Sequence, residues 1–170
     1  MKIINFILAL TLFLSANMLK DYLNKRYLQI CNFSNLRKYA KNEKALSIMG
    51  DACIKTDNLF MLPYIAHKLQ NTSIGRKNAV YFLTIYMEKK LICSFVFDNI
   101  SFEGFSLPET DYFLSYIFEA LKNKKYKKIG NKIVIKNKIK NISYYIYKNK
   151  NRVYVDEFKD EKLIKRRWFR

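Results

Sequence analysis

Glycine and proline are scarce in this chain, four and two of 170 residues. With half of the residues hydrophobic, this excludes a disordered or low-complexity polymer and points to a folded chain. The scarcity also removes any Gly-rich phosphate loop and any GxSxG turn. Histidine occurs once, at His67, and no two cysteines have CxxC spacing, which disfavours a structural zinc site and excludes HExxH chemistry. Asp and Glu number 14 against 32 Lys and Arg. No Asp-rich cation loop is present, and Asp51 and Asp57 are spaced to serve a helix and a cap. His67 sits beside Lys68 at a helix margin and reads as a structural residue. No nucleophile–base spacing supports a pairing with Cys53 or Cys93, and no carboxylate pair stands out. The expectation is a non-enzymatic protein without cofactor or metal.

Long apolar runs are lacking too, apart from the start. Lys2 precedes an apolar run from Ile3 to Ala16, interrupted by Asn5 and Thr11. As a helix it reaches about 20 Å, short of the ~30 Å hydrocarbon core. A basic start, a short apolar centre and the ending Leu14-Ser15-Ala16 predict a cleaved secretory signal over residues 1–16 and a periplasmic protein. An uncleaved inner-membrane anchor over residues 3–16 and a buried helix of a cytoplasmic protein are the alternatives. Ile30 before Cys31 argues against a lipoprotein site.

What is abundant is positive charge. Net charge is +18. From Lys122 onward 18 basic residues face 4 acidic ones, whereas the preceding residues carry 14 and 10. Asn, Ile, Tyr, Phe and Lys are all frequent, a usage resembling that of an AT-rich bacterial genome, so codon bias and function are alternative sources of part of the Lys excess. The asymmetry still asks for a physical role.

Before Lys122 the periodicity is helical. Residues 17–31 place Leu19, Tyr22, Leu23, Tyr27, Ile30 and Cys31 on one face of a single amphipathic helix. After the short segment SNLRKYA, Asn42 predicts an N-cap for a helix burying Ala45, Leu46, Met49, Ala52 and Cys53. Asp57 is read as the cap of the following segment, in which Pro63 either kinks a helix or begins one. Ala79, Val80, Phe82, Leu83, Tyr86 and Met87 read as a helix covered on several sides, and LICSFVF as its end or a strand. Ser106 and Glu109 have capping-box spacing, with Pro108 in a first turn and a stripe of Phe113, Leu114, Ile117, Phe118 and Leu121. Cys31 and Cys53 each end a buried face, which favours a Cys31–Cys53 bridge and leaves Cys93 buried and free. Two buried free thiols are the alternative. The stretch ALSIMGDACIK resembles the first helix of a tetratricopeptide or related helical-hairpin repeat, through Leu46, Met49, Gly50 and Cys53. Leu62 stands where a small residue is expected, and a shift of one repeat finds Thr84 in place of Gly50. The resemblance implies helical hairpins, not membership.

After Lys122 the period becomes two. KKYKKIGNK reads as a polar linker, and KIVIKNK, ISYYIYKNKNRVYVDEF and KLIKRRWF as strands of a three- or four-stranded meander on a helix. The expected fold class is α+β, with a helical domain over residues 17–121 and a basic β-rich unit over residues 122–170. The candidate interaction residues are Tyr145, Tyr147, Arg152, Tyr154, Lys165, Arg166, Arg167 and Trp168. The functional expectation is an interaction or scaffold protein of a large periplasmic cell-envelope assembly, a flagellar-motor accessory component being one example. Direct attachment to an anionic membrane or cell-wall polymer through the tail is the alternative. Basic residues interleaved with aromatics also suit nucleic acid, a partner disfavoured by the leader and admitted only if the leader is not a signal.

Overall fold

The computed structural model describes residues 17–137 and 139–170. The signal or anchor reading of residues 1–16 lies outside the described residues. The fold is α+β: helices followed by a five-stranded antiparallel meander. The chain groups into two compact units, one ending at Tyr86 and one beginning at Met87, so the break falls within a long helix. The change of period at Lys122 lies inside the second unit and marks where helices give way to strands.

The first unit contains α1 (residues 17–23), α2 (Tyr27–Ile30), α3 (Phe33–Lys38), α4 (Glu43–Lys55), a 3-10 turn (Leu59–Met61), α5 (Leu62–Ala66) and the first half of α6 (Ser73–Asp98). Asn42 caps α4, its side chain accepting from the Ala45 N–H at 3.1 Å. Asn32 caps α3 in the same way. Leu46, Met49, Ala52 and Cys53 on α4 are fully buried, as the 3.6-residue period requires. Gly50 lets the Phe82 ring approach: a Cβ there would lie 2.2 Å from two ring carbons. Pro63 occupies the first turn of α5.

Cys31 and Cys53 form a disulfide across 22 residues. Cys93 is buried and free. The bridge sets α2 against α4. Beside it Tyr22 donates to the Asp51 carboxylate, and Lys55 Nζ lies 2.9 Å from the same oxygen. Desolvation and the Asp51 charge raise the pKa of the Tyr22 phenol.

The single helix expected over residues 17–31 is broken. Lys25 has φ 58°; its N–H reaches the Tyr22 carbonyl, and the Arg26 N–H reaches that of Asp21. This is the Schellman ending that glycine ordinarily provides, here on lysine. Leu19 and Leu23, expected to be buried, are consequently exposed. Asp57 does not cap the next segment. It is the left-handed residue (φ 56°) that ends α4, with Asn58 N–H on the Cys53 carbonyl. α6 continues through LICSFVF as helix to Asp98. Its expected cover is incomplete, since Val80, Leu83 and Met87 are exposed.

The second unit contains the rest of α6, α7 (Phe113–Lys122) and strands β1 (Lys127–Ile129), β2 (Lys132–Asn137), β3 (Ile142–Asn149), β4 (Arg152–Lys159) and β5 (Lys162–Phe169), paired in sequence order. The Ser106–Glu109 capping box does not form. α7 begins only at Phe113, beyond both residues of the box, with no side-chain cap; inside the helix Ser115 Oγ accepts from the Thr110 N–H at 2.9 Å and donates to Glu88. Leu114, Ile117, Phe118 and Leu121 are buried as the stripe requires. The expected linker contains the short strand β1, and the meander has one strand more than anticipated. Ile133, Ile135, Tyr144, Ile146, Val153, Val155 and Phe169 form the buried inner face. Phe113 of α7 stacks on Tyr144 at 5.8 Å, and Tyr116 donates to the Lys136 carbonyl at 3.0 Å.

Candidate docking face on the C-terminal sheet

The two-residue period that buries Tyr144 and Ile146 turns Tyr145 and Tyr147 to the opposite, outer face of the sheet. α7 packs on the inner face. Register brings two rows of side chains together on the outer one. In the first row Tyr147 faces Tyr154, and Tyr154 faces Trp168. The two tyrosine rings lie 5.5 Å apart and nearly parallel, at 12°. Lys132 Nζ sits 5.2 Å from the Tyr147 ring centroid, and the Arg152 guanidinium 3.8 Å from that of Trp168. A cation therefore closes each end of an aromatic row, each contact contributing about 0.5–1 kcal/mol where exposed.

In the second row Tyr145 faces Asp156, which faces Arg166. Asp156 is only 2% exposed. Its carboxylate receives Arg166 Nε at 2.6 Å and Nη2 at 2.8 Å, with the Tyr147 hydroxyl at 3.3 Å. A bidentate guanidinium is what a buried carboxylate requires. Desolvation, then the Asp156 charge, raise the Tyr147 pKa, so the hydroxyl stays protonated at neutral pH. Tyr145 packs on Phe158 at 4.9 Å. These two rings line a depression of about 650 Å³ together with Lys132, Lys136, Ser143 and the turn carboxylates Asp160 and Glu161.

The charge of the face follows. Of the four acidic residues after Lys122, Asp156 is paired with Arg166, Glu157 points inward, and Asp160 and Glu161 sit in the β4–β5 turn. Lys132, Lys136 and Arg152 make the strands' own outer face positive, while Asp160 and Glu161 bring negative charge to the depression beside Lys132 and Lys136.

Six of the eight residues singled out from sequence share this face: Tyr145, Tyr147, Arg152, Tyr154, Arg166 and Trp168. Lys165 and Arg167 do not. Strand alternation divides the run KRRWF between the two faces. Lys165 stands opposite Glu157. Arg167 bonds Glu157 at 2.6 Å and lies 4.2 Å from the Phe113 ring. The basic run is therefore not one patch, and Arg166 and Arg167 are engaged with carboxylates. Sequence reading missed Lys132, Lys136, Asp156 and Phe158. The alternation of KIVIK and of RVYVDEF contained the signal, but register across strands was needed to join them.

Away from this face, Glu88 is buried among α6 and α7. It accepts from Ser115, and its Oε2 has no hydrogen-bond partner among the described residues. Desolvation pushes its pKa up to about 7. Lys89 is buried as well, with Nζ 2.9 Å from the Arg170 carbonyl; burial lowers its pKa. Burial raises the Cys93 thiol. Among the described residues no group of His, Cys, Asp and Glu is arranged to hold a metal ion, and no helix is long and apolar enough to cross a membrane. The chain matches no family model, no curated protein and no solved structure.

Proposed function

We propose that this is a non-enzymatic interaction protein of a bacterial cell envelope, and that the outer face of its C-terminal sheet docks an acidic protein surface within a larger assembly. The observation that carries the reading is the preformed row Lys132–Tyr147–Tyr154–Trp168 with Arg152 over the indole. Tyr, Trp and Arg are the side chains that dominate binding energy at protein interfaces. Packed side by side on a sheet, they lose little rotamer freedom on binding. The ring arrangement also argues against a base-stacking platform. Tyr147 and Tyr154 present one face to each other, and Arg152 covers one face of Trp168, so each of these rings already has one face occupied. Phenol hydroxyls, the indole edge and cations remain for a partner. A disulfide is at home in an oxidising compartment, which supports the envelope reading.

The test is charge reversal on the face. Lys132→Glu combined with Arg152→Glu should reduce retention of the protein in sedimented envelope complexes by about tenfold or more at low ionic strength. Tyr154→Ala should reduce it without changing the salt dependence, because apolar contact is not screened. Unchanged retention in both variants would refute the docking face. Vesicles of anionic lipid form the parallel arm: salt-sensitive binding there, with no retention on protein complexes, would replace the protein partner by a membrane.

A further inference from the structure

We propose that β5 is a second docking element, an open sheet edge that accepts an acidic extended segment of the partner as a sixth strand. The inference rests on the sheet being the binding module, but it concerns the edge and not the face. The meander has two edges, β1 and β5. They are built differently. β1 spans only Lys127–Ile129, and a very short edge is a common device against unwanted pairing. β5 spans eight residues without proline or glycine, and among the described residues it is paired only with β4. An edge strand turns alternate N–H and C=O groups outward, a template for another strand.

The side chains of β5 agree. Leu163, Ile164 and Trp168 are 48%, 53% and 50% exposed, unusual apolar exposure for one edge strand. The register shift opposite Glu157 and Phe158 confines the irregularity to the strand's first residues. Lys165–Phe169 continues in regular register with Glu157–Val153. The β4 ladder on one side and the Lys89 contact to the Arg170 carbonyl hold this stretch extended before any partner arrives, so the ordering cost falls on the incoming segment.

Charge selects the occupant. β5 carries Lys162, Lys165, Arg166 and Arg167 and no acidic residue; Asp156 and Glu157 of β4 already engage Arg166 and Arg167, yet the β4–β5 pair, with Arg152 and Lys159 added, keeps an excess of four positive charges. A second copy of β5 would bring like charges across the new ladder, which is destabilising. A strand rich in Glu or Asp would place opposite charges there, while its main chain supplies the hydrogen bonds of strand addition.

The experiment uses the full chain and a capped peptide of alternating Glu and Val, as long as β5. Amide exchange and titration are read with this peptide, with the same peptide N-methylated along one edge, and with a Lys–Val counterpart. The expected result is added exchange protection within Lys165–Phe169. Affinity should fall by about tenfold or more on N-methylation at unchanged charge, as lost ladder hydrogen bonds imply, and the Lys–Val peptide should not bind. Equal binding of the N-methylated peptide would reduce the interaction to charge alone and overturn the proposal. So would absence of binding, or pairing of β5 with a second copy. The Lys132→Glu, Arg152→Glu variant separates the two readings. If it still loses envelope retention while no peptide protects β5, the edge proposal fails and the face stands.

Discussion

Gly50 is one of only four glycines, and it occupies the middle of a helix, where alanine is ordinarily better by about 1 kcal/mol. The Phe82 ring reverses that preference, because a Cβ would fall within 2.2 Å of it. Gly50→Ala should therefore destabilise the protein by about 1–3 kcal/mol, the usual cost of overpacking; a gain in urea midpoint would contradict the α4–α6 packing. The disulfide gives a second residue-level expectation. Closing a loop of 22 residues restricts the unfolded chain by about 3 kcal/mol in the chain-entropy account. Urea unfolding of the Cys31→Ala, Cys53→Ala variant should show a loss of that order, and a loss below about 1 kcal/mol would mean that the bridge contributes little. The Cys31–Cys53 pairing was legible in the sequence because each cysteine ends a buried stripe, and the Asn42 cap because its side chain and position suffice. The partners of Arg166 and Arg167 were not legible. Adjacent residues in a strand go to opposite faces, and only the register assigns Asp156 to one and Glu157 to the other.

Elements were recognised better than their ends. The helical stripes of α4 and α7 and the alternation of β3 and β4 are sequence-local. The endings are not, because eight non-glycine residues among those described adopt positive φ, including Lys25, Asp57, Lys124 and Lys150. With glycine scarce, left-handed turns fall on Lys, Asn, Asp and Glu, which give no composition signal. This has a measurable consequence. Lys124 (φ 55°) ends α7, with the Lys125 N–H on the Ala120 carbonyl. Lys124→Gly relieves the left-handed penalty and should raise stability by about 1 kcal/mol; a loss would mean that the α7 ending is not of this kind. Glu88 supplies the pH dependence. Its folded pKa of about 7 lies above the ordinary 4.5, so the fold favours the neutral acid. That stabilisation is complete below about pH 4.5, declines as pH rises, and is gone above about pH 7, a change of about 3 kcal/mol. Glu88→Gln should flatten this part of the stability–pH curve and exceed the wild type at pH 8. Parallel curves would show that Glu88 titrates normally. The nearby Glu119 charge acts in the same direction as burial.

Across the whole chain, the sequence asymmetry in charge becomes an asymmetry of surfaces. The basic residues after Lys122 spread over both sides of a thin sheet, and carboxylates engage Arg166 and Arg167. Lys132, Lys136 and Arg152 are left beside tyrosines and tryptophan on one face. Composition could announce the excess of charge but not its division, which depends on pairing five strands in order. The central claim is that this face meets an acidic protein. Site-specific photo-crosslinking in living cells tests it most directly, with the crosslinking side chain at Tyr154 on the outer face and, as control, at exposed Lys128 on β1. The account predicts a discrete protein adduct from position 154, with the crosslinked peptide rich in Asp and Glu, lost when Lys132 and Arg152 are reversed to Glu, and not formed from position 128. Adducts of equal yield from both positions, or none from position 154 in cells that contain the folded protein, would contradict it.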